Sequence, residues 1–274
     1  MRGCTLRALL FGAGLMAAVA LPSTALAQAD DRPPSTRAIG EEYHIEVGGA
    51  IWRPSLFGLI ASEQFGIVGS QIDFVSDLGF TKTQFLDGRL VLRPSKKSKL
   101  RFQYTPVSYT ADSTLSRQII FNGIRYPVNV PIKSTFEWTV VRVGYEFDFF
   151  YTDRGYVGFL IEGRYTQMSA SLKSPLDDEA TVAKAPLPAF GLVGRAYPLK
   201  NVSITAEVSG FELPDIDEDY QANYVDIDIY GTVNFSRHLG VQVGWRRMNT
   251  FLRVKTDQGD FRFQGLWFGG ALRY

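Results

Sequence analysis

Four scarcities narrow the field before any motif is sought. Cysteine occurs once in 274 residues, as Cys4. It precedes the first apolar run, so it cannot be a lipid anchor behind a cleavage point. The rest of the chain has no thiol for a disulfide or a thiolate zinc site. Histidine occurs twice, as His44 and His238, which leaves little for general-base or metal chemistry. Charge of one sign is missing too, with 29 basic against 28 acidic residues; nucleic-acid binders are usually basic. Beyond the first 27 positions no run of 18 apolar residues occurs, so no helix there is expected to span a bilayer. No Gly-rich phosphate loop, zinc spacing or dinucleotide fingerprint is present, and no cofactor is expected.

The N-terminus has the form of an export signal. Arg2 and Arg7 supply a basic start, 9–21 is apolar, and Ala25-Leu26-Ala27 is a small-residue cleavage site before Gln28. The apolar run is shorter than the ~20 residues of a membrane anchor. Removing 1–27 leaves 27 bases against 28 acids, a net charge of −1. Residues 28–41 (QADDRPPSTRAIGE) are polar and Pro-containing, and read as a short mobile tail on the periplasmic side. Residues 42–274 form the remaining domain.

That domain alternates. At its end Leu266, Phe268, Gly270, Leu272 and Tyr274 interleave with Trp267, Gly269, Ala271 and Arg273, the period of a strand with two unlike faces. Nine further segments do the same, around 43–52, 85–93, from 100, up to 149, and near 157–165, 190–196, 202–208, 225–235 and 239–245. Each suffices for the ~9–11 residues a tilted strand needs to cross hydrocarbon. Connections at 94–99, 151–155, 198–200 and 236–238 are short. They alternate with mostly longer ones at 53–82, around Asn122-Gly123, and at 172–184, 212–221 and 256–259. Aromatic residues make up 14% of the chain, enough for interfacial girdles.

The terminal LWFGGALRY, the alternation and the turn/loop asymmetry resemble small bacterial outer-membrane β-barrels, the broad OmpA-like and OmpW-like class. The resemblance implies an all-β, closed antiparallel transmembrane barrel. Ten strands are expected, with eight to twelve the range, and with short periplasmic turns and longer extracellular loops. It also implies an outer-membrane location, contact with lipid and lipopolysaccharide, insertion by the barrel-assembly machinery, and a C-terminal insertion signal at Leu266, Phe268, Gly270, Leu272 and Tyr274. The terminal strand should pair with the first and close the sheet.

Residues between the outward apolar ones should face the lumen. They include Arg89, Arg93, Arg101, Arg142, Arg164, Arg195, Arg246 and Arg273, and the acids Glu46, Asp87, Glu146, Asp148, Glu162, Glu207, Asp226 and Asp228. Eight against eight predicts pairing rather than an ion-selective ring. About eight strands give an interior just filled by side chains, and inward Trp52 and Tyr230 take more room. A plugged lumen is therefore expected.

Two segments stand apart. Arms of nearly equal length flank Asn122-Gly123 from 100 to 149, predicting a hairpin that projects outward, or two further strands if its tip folds down. Residues 53–82 carry Leu56, Phe57, Leu59, Ile60, Phe65, Ile67, Val68, Ile72, Phe74, Val75, Leu78 and Phe80. An apolar loop of this size does not sit free in water. It is expected as a cap packed in the mouth, with a lipid-lying segment or an apolar ligand site as alternatives. IDFVSDLGF reads as a short helix or turn with Gly79 near its stop.

No catalytic set assembles, since both histidines fall at the periplasmic side. Asp226 and Asp228 share a face at ~7 Å and read as structural partners of arginine before a catalytic pair. Asp177-Asp178-Glu179 and Asp215, Asp217, Glu218 and Asp219 read as solvated acidic loops, with divalent cations as the alternative. The expected function is non-enzymatic, displaying the hairpin and the apolar loop for binding, adhesion or envelope integrity. A narrow conduit for small solutes is the first alternative, an outer-membrane hydrolase the second.

Overall fold

The computed structural model describes residues 38–61, 70–121, 123–175, 178–213, 220–254 and 257–274. The export signal, most of the tail, Phe65, Ile67, Val68, Asn122, Asp177, residues 214–219 and Thr256 lie outside them. In order come β1 (Ile45–Ala61), β2 (Ile72–Asp73), β3 (Phe85–Ser95), β4 (Ser98–Thr114), β5 (Ile119–Phe121), β6 (Ile124–Tyr126) and β7 (Pro131–Thr152). Then follow β8 (Gly155–Lys173), β9 (Asp178–Leu199), β10 (Val202–Glu212), β11 (Tyr220–Asn234), β12 (Leu239–Val254) and β13 (Asp257–Arg273). No helix occurs among the described residues.

All but β5 and β6 belong to one antiparallel sheet, in which ten strands form the wall and the short β2 pairs on β1 at Leu59↔Asp73 and Ile60↔Ile72. It closes where β13 pairs with β1, from Glu46↔Arg273 to Ala61↔Gln258. Closure removes the edges that lipid could not satisfy. The end strand does what its alternation predicts: Leu266, Phe268 and Leu272 are exposed on the outer face, while Trp267, Ala271 and Arg273 are buried inside. Gly270 pairs with Gly49, and the Tyr274 carbonyl accepts from the His44 and Ile45 N–H groups.

The wall has two storeys of opposite polarity. In β8, Val157, Phe159, Ile161 and Tyr165 face out while Tyr156, Glu162, Arg164 and Thr166 are buried inside. Two residues on, the pattern turns over: Gln167 and Lys173 face out, while Met168 and Leu172 are buried. In β7 the outward row runs Lys133, Glu137, then Val141, Val143, Tyr145 and Phe147, and the inward row runs Ile132, Phe136, Trp138, then Arg142, Glu146 and Asp148. β12 switches between Trp245 and Arg247, and β13 between Gln264 and Leu266. Where the outside is apolar the inside is charged. Where the outside is polar the inside is aromatic or aliphatic.

This second storey corrects several sequence expectations. β1 does not end near Trp52 but runs on to Ala61, so 53–61 is wall and not loop. Most of 172–184 is likewise strand, in β8 and β9. The arms of the long hairpin pair from Ser98↔Phe147 up to Thr114↔Pro131, but its tip does not project. It turns back into the barrel mouth, where, among the described residues, β5 and β6 pair with each other and add no wall strand. The reason is its side chains: Leu115, Ile119, Phe121 and Tyr126 are all buried, and exposing them would cost ~25 cal/mol per Å² of apolar surface.

Candidate functional site

All sixteen charged residues picked out by alternation point into the lower storey, and each has an ion-pair partner. Arg142 on β7 is the hub. Its guanidinium donates to Glu162 at 2.7 Å, Gln103 at 2.8 Å, Glu207 at 3.0 Å and Asp226 at 3.2 Å. Asp226 also accepts from Arg246 at 2.8 Å, Tyr224 at 3.0 Å and Arg164 at 3.4 Å. Two residues on, Asp228 accepts from Trp267 at 2.8 Å and Arg89 at 3.2 Å. Arg101 joins Glu146 at 3.0 Å to Glu207 at 2.6 Å, and Arg273 holds Glu46 at 2.5 Å. Planar guanidiniums suit this work because each can hold several acceptors at once.

Two members escaped the sequence reading. The connection expected at 94–99 places Lys99 in a turn, yet the turn is only 96–97 and Lys99 opens the inward row of β4. It binds Glu146 and lies 2.9 Å from Asp148. The parity of Lys99 with Arg101 was the available signal. Glu41 falls in the mobile tail expected over 28–41. Instead residues 38–44 cross the short-turn end of the barrel and are tied to it. Ile39 donates to the Lys200 carbonyl, Ala38 to that of Asp153, and Asn234 to that of Ile39. Gly40 has φ 96°, and a Cβ there would lie 2.8 Å from Asn234 Oδ1. The turn so formed aims Glu41 inward, where its carboxylate accepts from Tyr197 at 2.7 Å, Arg195 at 3.0 Å and Arg93 at 3.1 Å. With Lys99 and Glu41 the interior set becomes nine cations and nine anions.

Burial alone would raise the Glu41 carboxyl, but Arg195 and Arg93 outweigh it and hold the group at about 2, below its usual 4.5. A depressed carboxylate stabilises the fold above its unfolded pKa, and the contribution fades as pH falls toward the folded one. Urea unfolding followed from pH 6 downward should therefore lose stability between about 4.5 and 2, and Glu41→Gln should flatten that limb. An unchanged limb in the variant would remove Glu41 from the account.

Above the network lies the aromatic storey. Phe74, from the turn after β2, is wholly buried at its centre, with ring centroids 4.8 Å from Phe136, 5.4 Å from Phe80 and 5.7 Å from Phe261. Gly58 on β1 makes the space, since a Cβ there would sit 2.6 Å from the Phe74 ring. The 70–80 segment is thus the packed cap that its composition predicts. It is latched to the hairpin tip. Arg117 donates to Asp77 at 2.8 Å and 2.5 Å and to the Gln71 carbonyl at 2.6 Å. Ser70 and Ile120 exchange two bonds of 2.9 Å. Burial pushes the Asp77 carboxyl up, yet the bonds from Arg117 and the Asp73 N–H leave it below the usual carboxylate range.

Beside the network little space is left. Two cavities beside the network measure about 20 and 10 Å³, the room of single water molecules. Both histidines sit at the short-turn end, with Nδ1 of His44 3.4 Å from the Arg93 carbonyl and that of His238 3.0 Å from the Arg273 carbonyl. Asp178 and Glu179 of the expected acidic loop belong to β9.

A closed ten-strand antiparallel wall with an outward apolar band defines the fold of outer-membrane β-barrels. Among solved structures the chain is similar to the outer membrane protease OmpT of Escherichia coli, at 10% identity and a TM-score of 0.52, over 84% of this chain and 97% of that one. It also aligns with Ail, the attachment invasion locus protein of Yersinia pestis, at 10% identity over 82% and 99% of the two chains, with a TM-score of 0.37. The toluene transporter TodX of Pseudomonas putida aligns at 8% identity over 84% and 90%, with a TM-score of 0.36. Such identities speak to the fold alone. No family model and no curated protein matches the sequence.

Proposed function

We propose that this chain is a closed, non-conducting and non-enzymatic outer-membrane barrel whose working surface is the rim at its long-loop end. In this reading that rim faces outward, the short turns and the Glu41 stopper face the periplasm, and the leader 1–27 is removed after Ala27 on export. The apolar belt meets outer-membrane lipid and lipopolysaccharide, and the terminal strand serves recognition by the barrel-assembly machinery. The observation that carries the reading is the double filling of the lumen, by paired charges below and by packed rings above. A pore needs a continuous wet path. Here the stopper, the network and the aromatic storey succeed one another along the axis, with water-sized voids beside them. The folded-in tip narrows the candidate surface from a projecting hairpin to the rim itself, formed by the tops of the wall strands.

Planar-bilayer recording of the purified chain should show no unitary conductance steps. Regular steps at ordinary protein density would overturn the closed reading and favour the conduit.

A further inference from the structure

The wall is incomplete at one place on this rim. β9 pairs with β8 from Lys173↔Asp178 down to Gly155↔Ala196, without a register shift. Its other neighbour, β10, reaches only from Leu199 up to Phe190. Among the described residues, 178–189 therefore have a strand on one side only. Such an edge is a template for one more strand.

The sequence shows which backbone groups the edge offers. Pro186 and Pro188 lie inside the β8–β9 ladder, opposite Tyr165 and Gly163. A proline is accommodated in a ladder where its nitrogen faces away from the partner strand. With a period of two and no shift, the N–H and C=O groups of Asp178, Ala180, Val182 and Lys184 face the same side, on which no described strand lies. The prolines end the usable stretch. Val182 is 55% exposed, and Ala180, Ala183 and Lys184 are exposed beside it.

We propose that this edge binds the same edge of a second copy, in an antiparallel pair centred on Thr181. Two independent features choose that register. Antiparallel hydrogen-bonded pairs join residues that both turn their backbone groups toward the partner, so even-numbered residues must meet even-numbered ones. Charge then selects among the allowed registers. Centring on Thr181 places Asp178 opposite Lys184 twice, Ala180 opposite Val182 twice, and Thr181 opposite itself. Opposite charges and Thr–Thr pairs across strands are favourable, and like charges are not. Asp178 already lies 2.8 Å from Lys173 of its own chain, at a site where both side chains are more than half exposed; the carboxylate has room for a second cation. Since β9 descends from the rim, antiparallel pairing sets the two barrels mouth to mouth. The contact thus joins two facing membranes rather than neighbours in one. It rests on the rim being the working surface and names its partner.

The test uses the full chain in phosphatidylcholine vesicles of two fluorescent colours. Energy transfer between vesicles should appear with the unaltered chain. Asp178→Lys alone, or Lys184→Asp alone, should reduce it at least tenfold, because each makes like charges face one another. Mixing vesicles that carry Asp178→Lys with vesicles that carry Lys184→Asp should restore it, since the opposed pairs are again complementary. Heat-modifiable migration on gels reports that each variant is folded. Absence of transfer with the unaltered chain, transfer indifferent to both substitutions, or no recovery on mixing would each overturn the proposal. Any of these can occur while the bilayer recordings stay silent, so the closed-barrel reading stands or falls separately.

Discussion

Replacing Arg142 with methionine should destabilise the barrel by about 3–5 kcal/mol, the usual cost of removing one partner from a buried charge cluster. The side chain is almost wholly buried and serves Glu162, Gln103, Glu207 and Asp226 at once. Methionine fills the volume but leaves several carboxylate contacts unmet. Lysine should rescue little, because an ammonium is a point charge and cannot span four acceptors from one planar group. Urea unfolding in phospholipid vesicles measures the loss. A change below about 1 kcal/mol, the range of exposed ion pairs, would mean that water enters the network and screens it.

The second large effect belongs to the upper storey. Phe74→Ala should cost about 3–5 kcal/mol, the range for removing a large aromatic from a packed core. Its ring is fully buried and touches Phe80, Phe136 and Phe261. Val75→Ala, one position on at an exposed site, should stay within about 0.5 kcal/mol. The contrast separates a true core from an apolar loop resting in the mouth. Equal, small effects at both positions would show that the cap is not packed. Hydrogen exchange should further show the 70–80 segment and the β5–β6 hairpin loosening together in Phe74→Ala, since Arg117 and the Ser70–Ile120 bonds join them.

The lower storey was almost entirely legible in the sequence, and the upper one was not. Alternation alone assigns Arg142, Glu146 and Asp148 inward once Val141, Val143 and Tyr145 are taken as lipid-facing. The same rule fails at Trp138 and Phe136. They are apolar and have the parity of Arg142, so a reader expecting lipid outside the whole wall carries the arm outward as a projecting hairpin and does not see a second, aromatic storey. In fact the parity holds and the solvent changes. Phe57 and Ile60 misled in the same way, as loop residues when β1 continues through them. Lys99 and Glu41 were missed for a different reason. Each lies beside a turn, where boundaries shift by a residue or two, and Glu41 reaches its partners only through the reversal at Gly40. That 178–189 of β9 have a strand on one side only among the described residues depends on where β10 stops, which no local pattern in β9 records.

The reversal of polarity between the storeys also fixes the height at which the chain floats. Sliding the barrel outward by one residue pair would lift Trp245, Leu266 and their neighbours out of hydrocarbon. Sliding it inward would drag Arg247, Gln264 and Gln167 into it. Each strand adds its own penalty, and the ten are joined by a rigid ladder, so they move together or not at all. The bilayer is the softer partner, deforming at fractions of a kcal/mol per Å of mismatch. The bilayer's boundary on the long-loop side is thus expected to follow this row of switches. The lipid annulus must stretch or thin to meet a waterline drawn in side chains.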